Sequence, residues 1–273
     1  MRSMAGKAIN SLRGICVLVT RPAHQAQALC NDIESLGGRV LLLPVIEIGE
    51  PSDIAPALEI IERLDSFDIA IFVSSNAVEK AHALIVSHGG WPEHLEIAAV
   101  GKHTAETLRR IGRHVDILPQ YQFNSEALLA LEEMQNVRDK HIVIFRGEGG
   151  RELLAQTLVQ RGAQVEYAEV YRRIKPAGEI GEAQKAGQAG KIHIITVTSN
   201  EGLQNLYEMI GKDGRHWLLN TPVVVIGQRG AELAQELGFK TSVTAAQAGD
   251  QGLVDAIKEW YAIHCSTIDT NRD

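Results

Sequence analysis

An internal repeat constrains the fold of this chain more than any other sequence feature. Arg21 in VLVTRP corresponds to Arg146 in VIFRGE, and Gly37 corresponds to Gly162, both at an offset of 125 residues. FVSSN matches TVTSN at an offset of 124 residues, and VGKHT matches IGQRG at 126. Because these features keep their order and nearly constant spacing, the sequence indicates two copies of one structural unit.

Each copy alternates short apolar runs with helical patterns. The runs have the length and β-branched content of buried strands, and the helical pattern from Ala26 to Leu36 ends at Gly37, a typical C-terminal stop. Strands that alternate with helices form right-handed βαβ units with parallel sheets. We therefore predict an α/β protein of two similar parallel-sheet domains, joined by a two-stranded linker, with a cleft between them. The expected strands are 15–20, 39–48, 68–73, 96–100, 114–118, 141–145, 164–171, 191–197, 222–227 and 240–244.

The domain boundaries follow from two segments at equivalent repeat positions. Residues 39–50 carry Glu47 and Glu50, and residues 164–175 carry Arg172 and Arg173, so their charges suit two antiparallel neighbouring linker strands. Residues 14–38 and 176–264 then form a discontinuous first domain, and residues 51–163 form an inserted second domain. Residues 1–13 are left outside both. The alternative is two consecutive domains that divide near residue 135.

Composition excludes several classes of protein. A net charge of −7 and an aromatic content of 5% are unlike those of nucleic-acid binders, which need a basic face or stacking rings. Cys16, Cys30 and Cys265 form no C-x-x-C motif, and the ten histidines have no metal-ligand spacing. No apolar run reaches the ~18 residues of a membrane span. We expect a cytoplasmic protein with no metal, no nucleic-acid partner and no membrane partner.

The loops that follow the strands carry the candidate site residues. In open parallel sheets, ligands bind beyond the carboxyl ends of the strands, where helix N-termini point N–H groups at anions. These loops are rich in arginine although the whole chain is acidic, which indicates a small, highly anionic ligand. The candidates are Arg21, Ser74, Ser75, Asn76, Gly101, Lys102, Thr104, Arg146, Gly147, Thr198, Ser199, Asn200, Gly227, Gln228 and Arg229.

Each group of candidates also has a structural interpretation. The serine and asparagine residues are preferred N-cap types, so they could serve only to begin helices. The arginines could be solvated surface charges. The glycine-rich segment after Phe145 lacks both the G-x-G-x-x-G fingerprint and a Walker lysine, which disfavours nucleotide binding.

Several motifs taken together are similar to those of the uroporphyrinogen-III synthase family. The resemblance spans residues 14–264 and rests on VLVTRP, FVSSNAV, AVGKHTA, FNSEALL, IFRGEGGRELL, EVYRR, VTSN and VVIGQRGAEL. It implies two α/β domains joined by a two-stranded ladder. It also implies a lyase that cyclises hydroxymethylbilane to uroporphyrinogen III, with inversion of ring D and loss of water, on the route to haem, sirohaem and cobalamin.

The resemblance extends to particular residues. The family's tyrosine in the E-V-Y segment corresponds to Tyr171, a candidate general acid, and the threonine of the V-G-x-x-T-A motif corresponds to Thr104. Gly230 stands where the second copy of that motif often has threonine, so a hydroxyl role there is in doubt. No cofactor is implied. The expected partner is a linear tetrapyrrole polycarboxylate, and we expect a monomer that contacts hydroxymethylbilane synthase transiently.

Other functions remain open on the residues alone. A non-enzymatic anion-binding or regulatory protein of the same fold would carry the same loops, because a fold does not determine a function. A sugar- or nucleotide-handling transferase is disfavoured by the missing phosphate loop. Tyr171 could also be a packing residue of the linker.

Overall fold

In the part of the chain that the structure describes, ten strands form two five-stranded sheets, one in each of two units. The computed structural model describes residues 11–178 and 180–264. The first unit holds the described residues before Ile48 and after Ile174, and the second unit is Ile48–Ile174. In chain order the elements are β1 (Cys16–Val19), α1 (Ala23–Ser35), β2 (Arg39–Leu42), β3 (Glu47–Gly49), α2 (Ala55–Glu62), β4 (Ile69–Phe72), α3 (Ser75–Ser87), β5 (Glu96–Ala99), α4 (Lys102–Arg110), α5 (Ser125–Leu129), α6 (Glu132–Gln135), β6 (His141–Gly147), α7 (Leu153–Gln160), β7 (Gln164–Ile174), α8 (Gly181–Gln188), β8 (Ile194–Val197), α9 (Asn200–Asn220), β9 (Val223–Ile226), α10 (Gly227–Glu236), β10 (Ser242–Ala245) and α11 (Asp250–His264).

The sheet of the first unit has the strand order β10-β9-β8-β1-β2, and every neighbouring pair is parallel. The sheet of the second unit has the order β3-β7-β6-β4-β5, in which β7, β6, β4 and β5 pair in parallel. The predicted α/β class with parallel sheets is confirmed.

The strand predicted over residues 114–118 is the clearest difference from expectation. Among these residues only Ile117 pairs, in an isolated parallel bridge with Ala98. Charged residues alternate with apolar ones here, the Asp116 carboxylate accepts a hydrogen bond from the backbone N–H of Ile97 at 2.8 Å, and Pro119 follows shortly. A proline lacks the N–H that a longer ladder needs, so the pairing beyond β5 stays a single bridge.

Each sheet is covered by helices on both faces. Two apolar clusters lie in the first unit and contain, among others, Leu18 and Val19, which are fully buried. Two further clusters lie in the second unit on either side of β4, with Ile71 on one side and Phe72 on the other. Strands buried on both faces read as continuous apolar runs, which is why the sequence identified them.

Glycines end the equivalent helices of the two units. Gly37 follows α1 with φ +83°, and Gly162 follows α7 with φ +92°. Both conformations are left-handed, and glycine adopts them without the penalty that a Cβ would bring. The N–H of Gly37 donates to the carbonyl of Glu34 and that of Gly162 to the carbonyl of Val159, both at 2.9 Å.

The segments predicted as linkers contain sheet strands. Residues 39–50 hold β2, which pairs with β1, and the separate short strand β3. Residues 164–175 hold β7, which pairs with β6 and neighbours β3. The chain crosses between the units twice, after Glu47 and after Ile174.

The ordered fold also begins earlier than residue 14. Leu12 is fully buried in the first unit's core, and its N–H donates to the carbonyl of Leu36 at 2.9 Å. Of the segment left outside the predicted domains, residues 1–10 lie outside the described residues.

Candidate functional site

The candidate residues follow the carboxyl ends of the strands in both units. In the second unit they come after β4 and β5, at the end of β6 and on β7, and in the first unit they come after β1, β8 and β9. Because paired strands are parallel within each sheet, the candidates of one unit lie along one edge of that unit's sheet.

Ser74 and Tyr171 meet at the edge of the second sheet. Ser74 is the N-cap of α3, and its hydroxyl accepts a hydrogen bond from the N–H of Ala77 at 3.1 Å. The same oxygen lies 3.1 Å from the phenol oxygen of Tyr171. Tyr171 is 3% exposed, so its hydroxyl is held at the N-terminus of a 13-residue helix. Such a helix end favours negative charge on a neighbouring group.

Gly147 leaves the space that the Tyr171 ring occupies. A Cβ placed on Gly147 would lie 2.7 Å from two carbons of the ring, closer than real Cβ atoms approach. The backbone N–H of Glu148 donates to the carbonyl of Tyr171 at 2.8 Å, just beyond a register shift between β6 and β7. Gly147 therefore positions the phenol by its lack of a side chain.

Arg146 is a buried cation with partners inside its own unit. Its side chain is 6% exposed and lies 3.3 Å from a Glu152 oxygen and 3.8 Å from a Glu169 oxygen. Its guanidinium carbon stands 4.5 Å from the centre of the Tyr167 ring. The loop after β6 closes over it, since a Cβ on Gly150 would lie 2.8 Å from the guanidinium. The guanidinium of Arg146 thus has two carboxylates and one ring as partners, and its predicted contact with a ligand stays a prediction.

Tyr167 reports the electrostatics around this buried cation. Its phenol donates a hydrogen bond to Glu152 at 2.9 Å. Burial, and then the Glu152 carboxylate, raise the pKa of Tyr167 to about 12, because both disfavour a second negative charge there. Tyr167 therefore keeps its proton near neutral pH and acts as a donor that holds Glu152 beside Arg146.

The loop after β5 begins α4 without a side-chain cap. Gly101 is the N-cap residue, Lys102 is exposed and lies 3.9 Å from Glu106, and Thr104 is buried. The first N–H groups of α4 therefore lack a side-chain acceptor, which is typical of a helix end that accepts an anion. At this loop a ligand would meet the positive charge of Lys102 and the N–H groups of the first turn of α4.

Ser75 and Asn76 are the first residues of α3, and both are half-buried. The serine that caps this helix is Ser74, so Ser75 and Asn76 are not its capping residues. Their peptide N–H groups belong to the first turn of α3. The capping interpretation therefore applies to one residue of the S-S-N motif.

Arg21 of the first unit is paired with a residue that the sequence reasoning missed. Its guanidinium forms an ion pair with Asp250, the first residue of α11, and its side chain is 16% exposed. Asp250 follows β10, so it lies at the same edge of the sheet as Arg21. Part of the predicted positive charge at this edge is therefore already neutralised.

The loops after β8 and β9 repeat the capping pattern in the first unit. Ser199 caps α9 and accepts from the N–H of Gly202 at 3.0 Å, whereas Asn200 makes a long bond of 3.5 Å to the carbonyl of Arg229. Thr198 is half-buried and precedes the cap. The α9 N-terminus thus matches that of α3 in its serine cap.

The glycine-rich loop of the first unit begins α10. Gly227 has φ +72°, a left-handed conformation, and Gln228 donates to Glu232 at 3.2 Å. Arg229 is exposed. A Cβ on Gly230 would lie 3.1 Å from the Val225 Cβ, so a larger side chain there requires a small shift of its neighbour. Gly230 itself supplies no hydroxyl.

Other chemistry is limited among the residues that the structure describes. Within residues 11–178 and 180–264, no three His, Cys, Asp or Glu side chains cluster as metal ligands would. Cys16 and Cys30 are free thiols, and burial raises the pKa of both. Cys265 lies outside the described residues. In the same range, no helix has the length and apolar character needed to cross a membrane.

The carboxylates were the functional residues that sequence reasoning missed. Glu152 and Glu169 hold Arg146, and Asp250 holds Arg21. Asp250 could have been found, because it follows β10 in a glycine-containing loop like the others. No sequence signal identifies Glu169 as a partner, because it lies on a strand between apolar residues.

The fold and the site define a class of protein before any relative is considered. This is a parallel α/β protein of two units whose post-strand loops present serine hydroxyls, uncapped helix N-termini and cations at the carboxyl edges of the sheets. Such edges bind anionic small molecules.

The comparisons with known proteins identify the family. The family model "Uroporphyrinogen-III synthase HemD" matches residues 27–255. The chain is 33% identical over 244 residues to the uroporphyrinogen-III synthase of Escherichia coli (strain K12), which covers 89% of this chain and 99% of that protein. It is 30% identical over 256 residues to the protein of that name from Synechococcus elongatus, covering 91% and 96% respectively. The chain belongs to the uroporphyrinogen-III synthase family, whose members are enzymes of tetrapyrrole biosynthesis.

Solved structures of that name share the fold. The Helicobacter pylori 26695 uroporphyrinogen-III synthetase has a TM-score of 0.58 at 16% identity and covers 90% of this chain and 99% of that chain. A mutant uroporphyrinogen III synthase from Thermus thermophilus has a TM-score of 0.57 at 19% identity, with the same coverage. At this identity the likeness concerns the α/β fold with parallel sheets.

Proposed function

We propose that this chain cyclises hydroxymethylbilane to uroporphyrinogen III, with inversion of ring D and loss of water. Membership of the family carries the proposal, because the match extends over residues 27–255 and a relative of that name is aligned over 99% of its length. The enzyme is a lyase that uses its own side chains and peptide groups.

The carboxyl edges of the sheets suit a substrate with eight carboxylates. Uncapped N–H groups at α4, and the first turns of α3, α9 and α10, supply donors for oxyanions. Among the predicted cations, Lys102 and Arg229 are exposed, and Arg21 shares its charge with Asp250. We assign the substrate contacts to these groups and to the candidate loops around them, from Ser74 to Asn76, Gly101 to Thr104, Thr198 to Asn200 and Gly227 to Arg229.

Arg146 and Gly147 have a different part in this proposal. Two carboxylates and one ring already surround the guanidinium of Arg146, so we assign it to holding the loop after β6 in place. Gly147 gives the Tyr171 ring its position. Both residues thus act on the substrate through the side chains they place.

Tyr171 is the proposed general acid for the first chemical step. Departure of the substrate hydroxyl as water needs a proton, and the phenol is held at the N-terminus of α3, where the resulting negative charge is stabilised. The electrophilic azafulvene then forms the spirocyclic intermediate, which opens and closes in the other direction. Free hydroxymethylbilane cyclises unaided to the wrong isomer, so most of the enzyme's contribution is the control of substrate conformation.

The two units are proposed to be copies of one ancestral domain. In support, strands that correspond in the sequence repeat occupy corresponding positions in the two sheets. The order is β9-β8-β1-β2 in one sheet and β5-β4-β6-β7 in the other. The parallel bridge between Ile117 and Ala98 stands where β10 pairs with β9, with Val243 opposite Val224. We further propose that β3 and the end of β7 form the linker of the two crossings.

One assay separates this function from the alternatives. Freshly made hydroxymethylbilane is incubated with the protein, and isomers I and III are resolved after oxidation to the porphyrins. We expect isomer III as the main product, whereas an anion-binding or regulatory protein would bind the substrate and leave isomer I. Isomer I alone at every protein concentration would contradict the proposal.

The proposal about partners is tested separately. We propose that the protein acts as a monomer and receives the substrate from hydroxymethylbilane synthase by transient contact. Light scattering should give the mass of a single 29.8 kDa chain. Addition of hydroxymethylbilane synthase should give no stable species of the summed mass, and substrate made by the active synthase in a coupled reaction should give a larger fraction of isomer III than the same amount of free hydroxymethylbilane.

A further inference from the structure

The hydroxyl of Ser74 lies next to a phenol that is itself almost inaccessible. Tyr171 is 3% exposed, and its ring is enclosed by the backbone at Gly147. Ser74 is half-buried and lies 3.1 Å from the phenol oxygen. A substrate at this edge of the sheet can therefore reach the Ser74 hydroxyl more readily than the Tyr171 hydroxyl.

The hydrogen-bond capacity of Ser74 leaves its proton available. A serine hydroxyl has one donor and two acceptor positions. The N–H of Ala77 occupies one acceptor position at 3.1 Å, and the O–H of Tyr171 is placed to occupy the other. When the Tyr171 O–H donates to Ser74, both acceptor positions are filled and the Ser74 proton points to a ligand; in the opposite sense, the Ser74 O–H donates to the phenol oxygen.

We propose that Ser74 is a catalytic residue that relays the proton of Tyr171 to the substrate. The inference rests on the function proposed above and adds a second hydroxyl to the acid. Ser74 donates its proton to the departing hydroxyl of hydroxymethylbilane, and Tyr171 donates its own proton to Ser74 in the same step.

The relay balances in atoms and charge. The carbon–oxygen bond of the hydroxymethyl group breaks, water leaves, the azafulvene cation forms and Tyr171 becomes a phenolate. When the final ring closure restores an aromatic pyrrole, the carbon that has formed the new bond loses its proton. That proton returns through Ser74 to the phenolate, so one cycle consumes no acid or base.

The helix end gives the relay its electrostatic support. The phenolate forms next to the N-terminus of α3, where the peptide dipoles favour negative charge. After the transfer the Ser74 hydroxyl can turn to donate to the phenolate oxygen, while the Ala77 N–H keeps the serine oxygen in place. A charge-assisted hydrogen bond of this kind is stronger than a neutral one.

The first unit shows that a serine cap alone does not bring a phenol with it. Ser199 caps α9 as Ser74 caps α3, through the N–H of Gly202. The position that corresponds to Tyr171 at the repeat offset of 125 residues holds Ile46. The pairing of hydroxyls in the second unit is therefore an addition to the capping arrangement.

The test uses variants that separate capping from proton transfer. Ser74→Asn keeps an oxygen that can accept from the N–H of Ala77, but its amide cannot pass on a proton. Ser74→Thr keeps both the cap and the hydroxyl. Asn124→Ala is the matched control, because Asn124 caps α5 of the same unit through the N–H of Ala127 at 2.7 Å.

The relay leads to quantitative expectations for four variants in the formation of isomer III. Ser74→Asn should lower kcat by about 10²-fold, at the low end for a general acid, with KM changed less than about threefold. Ser74→Thr should retain kcat within about fivefold, and Asn124→Ala should be unchanged. Ser74→Asn combined with Tyr171→Phe should be no slower than the slower single variant, because both remove one step.

The solvent isotope effect gives an independent measurement. In mixtures of H₂O and D₂O, transfer of two protons in one step makes the wild-type rate depend on the deuterium fraction along a curve. Ser74→Asn should give a straight line. If Ser74→Asn does not fold, as judged by its melting curve, Ser74→Ala replaces it, with Asn124→Ala as the control for the lost cap.

The outcomes separate the relay from the function on which it rests. If the wild type makes only isomer I, the proposed function fails, and the relay fails with it before any variant is compared. If the wild type makes isomer III and Ser74→Asn has wild-type kcat, the relay is overturned while the function stands. Losses that multiply in the double variant would also overturn it, because they would show two independent contributions.

Discussion

Four strands of each unit follow the same order, β9-β8-β1-β2 in one sheet and β5-β4-β6-β7 in the other, but the units differ at both ends of these strands. At the amino end, the residue before β8 is His193, whose Nδ1 accepts from the N–H of Cys16 at 3.0 Å. The residue before β4 is Asp68, whose carboxylate accepts from the N–H of His141 at 2.8 Å. The same hydrogen bond between equivalent strands is thus made by an imidazole in one unit and a carboxylate in the other. The backbone geometry requires an acceptor there, and it leaves the choice of side chain open.

At the carboxyl end the differences concern the proposed chemistry. The second unit has Tyr171 beside its serine cap and a threonine at position 104, whereas the first unit has Ile46 and Gly230 at the corresponding places. Under the proposed function, both units bind carboxylates of the substrate through their helix ends. The proposed acid is located in the second unit.

The largest expected difference between the units is in the stability that is lost when each of the two repeat-related arginines, Arg146 and Arg21, is replaced. Arg146→Ala should lower the free energy of unfolding by about 3 kcal/mol, because it leaves Glu152 and Glu169 without their buried partner and opens a gap beside Tyr167. Arg21→Ala removes one ion pair at a more open position and should cost about 1 kcal/mol. Urea unfolding measures both. Equal losses of unfolding free energy in the two variants would show that Arg146 does not stabilise the fold more than Arg21 does.

Tyr171→Phe tests the assignment of the acid to the second unit. We expect kcat for isomer III to fall by about 10²-fold with little change in KM, because the ring still packs and only the proton is lost. Ile46→Val, at the corresponding position of the first unit, is the matched control and should leave kcat within about twofold. Wild-type rate and isomer purity in Tyr171→Phe would reduce Tyr171 to a packing residue.

The two units also differ in how closely a glycine approaches a neighbouring side chain, and we expect substitutions at these glycines to have smaller effects. Gly147→Ala should displace the Tyr171 ring, destabilise the protein by about 2 kcal/mol and lower kcat, since its Cβ would lie 2.7 Å from ring carbons. Gly230→Ala in the first unit meets the Val225 Cβ at 3.1 Å and should cost less than about 1 kcal/mol. Thermal unfolding and isomer III kinetics on the two variants compare them. A larger effect of Gly230→Ala than of Gly147→Ala would contradict the view that Gly147 is the more tightly packed glycine.

The smallest expected effect is a difference in the pH at which each unit loses its amino-end hydrogen bond. Burial, and then Arg39, lower the pKa of His193, so the folded chain binds fewer protons there than the unfolded chain. Stability from His193 is therefore fully present above its ordinary pKa of 6.5 and is lost as the pH falls through its folded pKa. The hydrogen bond from His141 lowers the pKa of Asp68, whose contribution is present above 3.8 and lost below.

Substitutions separate these two pH windows. His193→Gln should remove the part of the pH dependence that begins below about 6.5 and should leave the dependence below about 4 unchanged. Asp68→Asn should remove the part of the pH dependence below about 4 and should leave the part that begins below about 6.5 unchanged. Each effect should be about that of a single hydrogen bond, ~1 kcal/mol, and smaller for the half-exposed Asp68. If His193→Gln unfolds with the wild-type pH dependence around 6, the imidazole does not carry it.

Much of the fold was predictable because local patterns determine it. Buried parallel strands read as apolar runs, and the helix ends at Gly37 and Gly162 read from residue type alone. The exception at 114–118 had apolar residues in alternation, and the pattern could not show that only Ile117 would find a partner. Pairing along a sheet edge depends on the neighbouring strand, which a local window does not contain.

The alternation of strands and helices and the loops that carry the candidate site follow from the amino-acid sequence alone, and the proposal of two copies rests on its repeat. These features depend on residue type and spacing, which act over a few neighbours. Which of the loop residues meet depends on the folded chain. Tyr171 and Ser74 are 97 positions apart, and Arg21 and Asp250 are 229 apart. Arg146 has the same sequence signal as an exposed arginine, yet it is buried, because burial depends on the carboxylates and the ring that tertiary packing brings around it.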